Sequence, residues 1–360
     1  MFQKIAVKIG TNVITRDDGS LNIERITHLV EQINFLKKQN KEVVIISSGA
    51  VAAGRQIICE PQRNEPVSRR QLWAALGQTR LMNVYAEKMS AYGLQCAQLL
   101  VTKNDFRDRQ HYLNMKNCLQ VLLDENIIPI INENDAISIT ELMFTDNDEL
   151  AGLIAAMMDA EVLLILSNID GIYNGDPNDP ESEIIQEIDQ KMSIADDYIT
   201  SKVSHFGRGG VITKFNIAKK VASSGITVFI ANGFKDNVLI DLVKKEQTVV
   251  NTKFLPGRKK SNVKKWIAHS EGFEKGVIYV NQGAAKALLS DKATSLLLIG
   301  ITQIRGNFRK GDVVKIMDDN DRYIGLGRAE YGADEARKNI GKEHFKPLIH
   351  YDYLYLNGIN

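Results

Sequence analysis

IAVKIGTNVITRDDGSLNIERITHLVEQINFLKKQNKEVVIISSGAVAAG, residues 5–54, decides the fold. It opens on IAVKI (5–9), apolar except for Lys8, and passes through a stretch of helical period from Ile23 to Lys38. A second run, EVVIIS (42–47), then leads into a turn of Ser47, Ser48 and Gly49 followed by small residues. Apolar strands separated by a helix belong to a parallel sheet covered on both faces. The pattern continues outward with QCAQLLV (95–101), IIPII (127–131), EVLLILS (161–167) and ITVFIA (226–231). Between these runs lie helix patterns over Arg69 to Tyr92, Tyr112 to Leu123 and Thr213 to Ser223. Residues 1–252 are therefore expected to form one α/β sandwich.

The character changes at KFLPGRKKSNVKK (253–265), which holds six basic residues, a Pro-Gly pair and no acid. Residues 253–270 read as a basic linker. Beyond it, GVIYV (276–280), SLLLIGITQIRG (295–306), DVVKIM (312–317) and YIGLGRAEY (323–331) are short candidate strands, with one helix at Gln282 to Leu289. Residues 271–356 are expected to form a small β-rich barrel.

Of 360 residues, 45 are Lys or Arg and 44 are Asp or Glu, a net charge of +1 that argues against a surface built wholly for nucleic acid or anionic lipid. The balance is a cancellation, because residues 253–360 carry 19 basic and 12 acidic residues. Cys59, Cys96 and Cys118 form no CxxC pair, which excludes a disulfide framework and the usual zinc spacings; they read as reduced, mostly buried thiols. No stretch reaches the ~18 apolar residues that span a bilayer. The N-terminal apolar run is too short for a signal peptide, so the expected location is cytoplasmic.

In a sheet of this kind, ligands bind beyond the carboxyl ends of the strands. Lys8 ends the first strand beside Gly10, Thr11 and Asn12. It reads either as a lysine snorkelling from a strand end or as a phosphate-binding lysine. The turn at Ser47, Ser48 and Gly49 suits an anion at a helix start, although Ser48 could instead cap that helix. INENDAIS (131–138) and FTDNDEL (144–150) supply Asn and Asp without His or Cys, which fits a hard cation or an amino-group ligand and not zinc; Asp146 also reads as a helix cap. GRGGVITK (207–214) is a glycine-rich turn entering a helix with Thr213 and Lys214. It is not a P-loop, and no dinucleotide fingerprint follows a strand.

Together, two lysines, carboxylates and amides at strand ends and glycine turns are what phosphoryl transfer requires. None of the histidines at 28, 111, 205, 269, 344 and 350 falls in these motifs. A nucleophile already ionised at pH 7, such as a carboxylate, needs no histidine base, which points to an acyl phosphate product.

On VKIGTNV, SSGAVAAGR, QLWAALGQ, NENDA, the DND triplet and GRGGVITK, in that order, the sequence resembles the glutamate 5-kinase branch of the amino-acid kinase family. The resemblance spans essentially the whole chain. It implies an α/β/α sandwich with a mostly parallel central sheet followed by a PUA domain. Lys8 and Lys214 would lie along the transferred phosphoryl group, with Asp148 holding both lysines and the magnesium nucleotide. Ser48, Asp135 and Asn147 match the family's glutamate contacts, and the backbone N–H groups near Gly49 and Gly10 suit carboxylate or phosphate oxygens. ATP would meet Lys8, Gly10, Ser167, Asn168, Arg208, Gly209, Gly210, Val211, Ile212, Thr213 and Lys214. Magnesium would be carried by the ATP phosphates, with no direct protein ligand assigned. L-Glutamate is the implied substrate, proline the feedback inhibitor, and the assembly a homo-oligomer.

Two departures stand out. The family commonly has Asp after the Ser or Thr at the end of LLILS, where this chain has Asn168; Arg208 and Val211 also depart from its GTGGMxTK segment. Two rival readings remain open on sequence: a kinase for aspartate or N-acetylglutamate, and an RNA-binding PUA protein with an inactive kinase fold.

Overall fold

Six of the expected runs become six parallel strands. The computed structural model describes all residues except 1, 64, 139–143, 145, 177–178, 191, 193–209, 245–247, 259–260, 269, 271, 291–293 and 357–360. The chain divides into two compact units, Met1–Asp105 with Asn114–Lys259, and Phe106–Leu113 with Lys260–Asn360.

The first unit is built on β1 (Lys4–Ile9), β2 (Glu42–Ser47), β3 (Cys96–Val101), β4 (Ile128–Glu133), β5 (Val162–Ser167), β6 (Glu187–Ile188), β7 (Thr227–Asn232) and β8 (Asn251–Phe254). Their order in the sheet is β3-β4-β2-β1-β5-β7-β8-β6. From β3 to β7 all neighbours are parallel, whereas β8 runs antiparallel to β7.

Alternation along β1 decides where the chemistry faces. Ile5, Val7 and Ile9 join a core with helices Ile23–Lys38, Pro66–Ser90 and Val238–Val243. Ala6 and Lys8 must point to the opposite face, and there helix Asn147–Met157 packs on β1 and on helix Val211–Ala222. On the first face, helix Ile23–Lys38 starts where the Asn22 side chain accepts from the Arg25 N–H, with Glu24 in its first turn and Lys37 and Lys38 in its last.

Helices Ala50–Arg55 and Pro66–Ser90 meet backbone to backbone. A Cβ on Gly54 would lie 1.8 Å from the Trp73 carbonyl oxygen, and one on Gly77 would lie 1.8 Å from that of Ala50. Glycine is required at both positions by this close approach. It ties the segment after Ser48 to the helix that carries Gln78.

The second unit holds β9 (Gly276–Val280), β10 (Ile301–Gly306), β11 (Val313–Asp318), β12 (Tyr323–Arg328) and β13 (Leu354–Leu356), in the order β10-β9-β11-β12-β13. Its core gathers Ile278, Val280, Leu298, Val314, Ile316, Ile324 and Leu348. The segment read as a linker is more ordered than its charge suggests. Its first residues finish β8, and Asn262–Ala268 is a helix with Trp266 and Ile267 buried. Val263, Trp266 and Ile267 stand at helical spacing among the lysines, and Trp266 packs on Tyr112 with ring centroids 6.0 Å apart. The cysteines also differ from expectation, since Cys59 and Cys118 are exposed. Among the described residues no helix is long and apolar enough to cross a membrane.

Candidate active site

Sheet register brings the ends of the parallel strands to one edge. Ile9 pairs with Ser47 on one side, and Leu166, one residue before the end of β5, pairs with Ile9 on the other; Ser167 pairs with Asn232. The strand order reverses at β1, with β2 to one side and β5 to the other, and this is the crevice where such sheets bind ligands.

Lys8 does not snorkel. Its side chain is 7% exposed, and Nζ lies 2.6 Å from Asp148 Oδ1. Lys214 Nζ lies 2.5 Å from Oδ2 of the same carboxylate, which is fully buried. The Asp146 side chain caps the helix, accepting from the Asp148 and Glu149 N–H groups at 2.8 and 3.1 Å, so Asp148 falls in the first turn. Burial by itself would raise the Asp148 pKa, but the ammonium groups of Lys8 and Lys214 outweigh it and hold the carboxyl at about 2. Asp146 is pushed the other way by burial and by the Asp148 charge. Two cations sharing one anion leave a local charge of +1, suited to a migrating phosphoryl group.

Lys214 rides on helix Val211–Ala222, whose start at Gly210 has no side-chain cap. Among the described residues, a Cβ on Gly210 would meet nothing within 4 Å. Val211, Ile212 and Thr213 complete its first turn, with Ile212 exposed. Arg208 and Gly209 lie outside the described residues. Gly10 sits between the strands, and a Cβ there would come within 3.2 Å of the Leu166 carbonyl oxygen and 3.6 Å of Lys8 Nζ. Its N–H is committed to the Leu166 carbonyl at 3.1 Å, so Gly10 offers close approach to Lys8 and not the free donor expected of it. Buried Ser167 and half-buried Asn168 follow at the end of β5, 3.4 Å apart through Oγ and Oδ1.

Amides and hydroxyls line the neighbouring part of the edge. Asn147 Nδ2 donates to Ser48 Oγ at 2.7 Å and to Asn132 Oδ1 at 3.1 Å. Asn132 Nδ2 donates to Gln78 Oε1 at 2.9 Å. Ser48 does not cap the following helix, because Gly49, at φ +99°, holds the cap position. Asp135 forms a 2.6 Å ion pair with Arg70. Beside it, Glu133 is buried and accepts from the Phe144 N–H at 3.0 Å. Burial first, and then the Asp135 charge, push the Glu133 carboxyl up to about 7. The four motifs thus converge except for the undescribed residues. Sequence reasoning passed over Arg70, Gln78, Asn132 and Glu133, although QLWAALGQ and NENDA contain the last three. Among the described residues, no group of three or more His, Cys, Asp or Glu side chains is placed to hold a metal ion.

Residues 3–232 match the amino acid kinase family, and residues 276–347 match the PUA domain. The chain belongs to the amino acid kinase family. This amino acid kinase is 52% identical, over 99% of both chains, to a protein of Bacteroides thetaiotaomicron named glutamate 5-kinase. It is 47% identical to the glutamate 5-kinase of Chlorobaculum tepidum, over 99% of this chain and 98% of the relative. Among solved structures, carbamate kinase from Giardia lamblia bound to AMP-PNP superposes with a TM-score of 0.51 at 14% identity, covering 71% of this chain and 98% of that one. That likeness establishes the fold. The parallel sheet read from residues 5–54 is the sheet of this family.

Proposed function

We propose that this amino acid kinase transfers the γ-phosphoryl group of ATP to the γ-carboxylate of L-glutamate, giving L-glutamyl 5-phosphate for proline synthesis. The observation that carries the reading is the Asp148 clamp on Lys8 and Lys214 at the reversal point of the sheet, 2.6 and 2.5 Å to its two oxygens. Relatives named glutamate 5-kinase match along essentially the whole chain and support the substrate.

The glutamate carboxylate is already a nucleophile at neutral pH, so positioning and charge do the rest. Lys8, fixed on a central strand, and Lys214, in the first turn of a helix, draw charge from the migrating oxygens as the bond to the leaving phosphate breaks. Asp148 sets their separation and keeps them from repelling one another. Asp135 suits the substrate ammonium, and Ser48 and Asn147 suit its polar groups. Ser167, Asn168 and the Gly210 to Thr213 turn are the nucleotide side. Magnesium would enter with ATP and supply positive charge to the phosphates, with Asp148 the carboxylate placed beside the magnesium nucleotide.

The catalytic domain is assigned to residues 1–252 and the PUA domain to 271–356, joined by 253–270. Proline as an inhibitor acting near the 135–147 segment, a homo-oligomeric assembly, a cytoplasmic location and little binding of nucleic acid complete the reading. ATP-dependent, hydroxylamine-trappable acyl phosphate, assayed with glutamate, aspartate and N-acetylglutamate and with added proline, tests it. Product with one of the other acceptors and none with glutamate would overturn the substrate assignment.

A further inference from the structure

The polar chain beneath Ser48 has a hydrogen-bond polarity that one backbone group dictates. The Glu133 N–H lies 2.9 Å from a terminal side-chain atom of Asn132. A peptide N–H can only donate, so that atom is Oδ1 and the other is Nδ2. Nδ2 faces Gln78 at 2.9 Å, which obliges Gln78 to turn Oε1 toward it. In the other direction, Asn132 Oδ1 accepts at 3.1 Å from Asn147, which must present Nδ2. The same Nδ2 reaches Ser48 Oγ at 2.7 Å, so Ser48 accepts there. Among the described residues two groups of this chain are left for a ligand: the Ser48 hydroxyl proton, a donor, and Asn147 Oδ1, an acceptor.

Gln78 is 7% exposed, and its Nε2 is buried without a hydrogen-bond partner among the described residues. Packing gives no reason for a glutamine here, since a methionine would fill similar volume without stranding a donor. What glutamine adds is Oε1, the acceptor that occupies Asn132 Nδ2. Its position is well fixed, because the neighbouring Gly77 packs against the backbone of Ala50, two residues past Ser48.

We propose that Gln78 is a positioning residue for the amino-acid substrate. Beside the Glu133 N–H, which sets Asn132 Oδ1, it pins Asn132 Nδ2 and so keeps Asn132 placed to hold Asn147 in the amide orientation in which Ser48 offers a donor to a substrate carboxylate and Asn147 offers an acceptor to the ammonium group. This rests on the amino-acid kinase reading of the same site. Were Asn147 to turn over, its Oδ1 would face Asn132 Oδ1, and its Nδ2 would face the substrate ammonium, donor against donor. ATP would be unaffected, since Lys8, Lys214 and the residues around Gly210 take no part in the chain.

The test is steady-state kinetics on the full chain, varying glutamate and ATP separately, for Gln78→Met and Gln78→Glu. The methionine keeps the volume and removes the acceptor; the glutamate, protonated in its buried setting, keeps an oxygen toward Asn132 and puts an O–H where Nε2 is idle. Gln78→Met should raise KM for glutamate about tenfold, the loss of one hydrogen bond, with KM for ATP within about twofold. Gln78→Glu should stay within about threefold of wild type for both substrates. An unchanged glutamate KM in a folded Gln78→Met, or equal rises in both KM values, would overturn the role. Should Gln78→Met not fold, Asn132→Leu against Asn132→Asp makes the same comparison, the aspartate keeping the acceptor that Asn147 needs. A wild-type chain that phosphorylates no glutamate removes the underlying reading and this proposal with it; normal wild-type turnover with an indifferent Gln78 removes the proposal alone.

Discussion

Lys8 and Lys214 grip opposite oxygens of one carboxylate, Asp148, at 2.6 and 2.5 Å. One lysine comes from the central strand and the other from a helix on the face that β1 turns away from its larger apolar residues. A buried triad of this kind is costly to desolvate, and as stabilisation it compares poorly with apolar packing. On the function proposed above, its value is the placement of two ammonium groups where charge develops during transfer.

Replacing either lysine by alanine should therefore lower turnover by about a hundredfold or more, the scale of removing one fixed charge or donor from a transition state. Acyl phosphate formation measured beside circular dichroism separates chemistry from folding. Near wild-type turnover in Lys8→Ala or Lys214→Ala would remove that residue from the mechanism.

Asp135 now stands paired with Arg70 at 2.6 Å, largely buried from water. If its carboxylate is the partner of the substrate ammonium, Asp135→Asn should raise KM for glutamate about 30-fold or more, as truncation of a desolvated charge pair does, and leave KM for ATP unchanged. Titrating each substrate in turn decides the matter. A variant in which only the ATP requirement moves would place Asp135 on the wrong side of the site.

The strands and the long helices were legible because each has one dominant period. IAVKI, EVVIIS and EVLLILS are buried on both faces, and the helix predicted over Ile23 to Lys38 forms with those ends. β6 and β8 escaped notice because strands of two residues, or of four such as NTKF, alternate over too short a span to show a period. Helix Asn262–Ala268 was hidden by the lysines around Trp266. In the site, residues at strand ends were visible as exceptions to an apolar pattern, Lys8 above all. Gln78 and Asn132 were not, because a polar residue inside a helix or at the start of an Asn-rich run looks like surface until its partners are known.

Gly77→Ala should destabilise the first unit by about 3 kcal/mol, the upper part of the usual overpacking range. The added methyl meets the Ala50 carbonyl oxygen and the Gly54 nitrogen, which are backbone and cannot rotate away. Chemical denaturation gives the difference. Because Gln78 is the next residue, the surviving folded fraction should also show a raised glutamate KM. A variant as stable as wild type would mean that the two helices separate without loss.

Glu133 predicts a pH dependence of stability. Its carboxyl is raised by burial and by Asp135 from the ordinary 4.5 to about 7, against the Phe144 N–H and Arg70, which favour ionisation. Between these values the folded chain holds a proton that the unfolded chain has released, so the contribution of this group is greatest below about pH 4.5 and declines as pH rises through about 7. Glu133→Gln keeps an acceptor for the Phe144 N–H and cannot ionise. Its melting temperature should match wild type or fall below it near pH 5, then gain on wild type through pH 7 and hold that gain above it. Melting curves collected from about pH 5 to about pH 9 provide the comparison. A difference between the two proteins that stays constant across that range would show that Glu133 is ionised throughout, and that burial beside Asp135 is balanced by Arg70 and the Phe144 N–H.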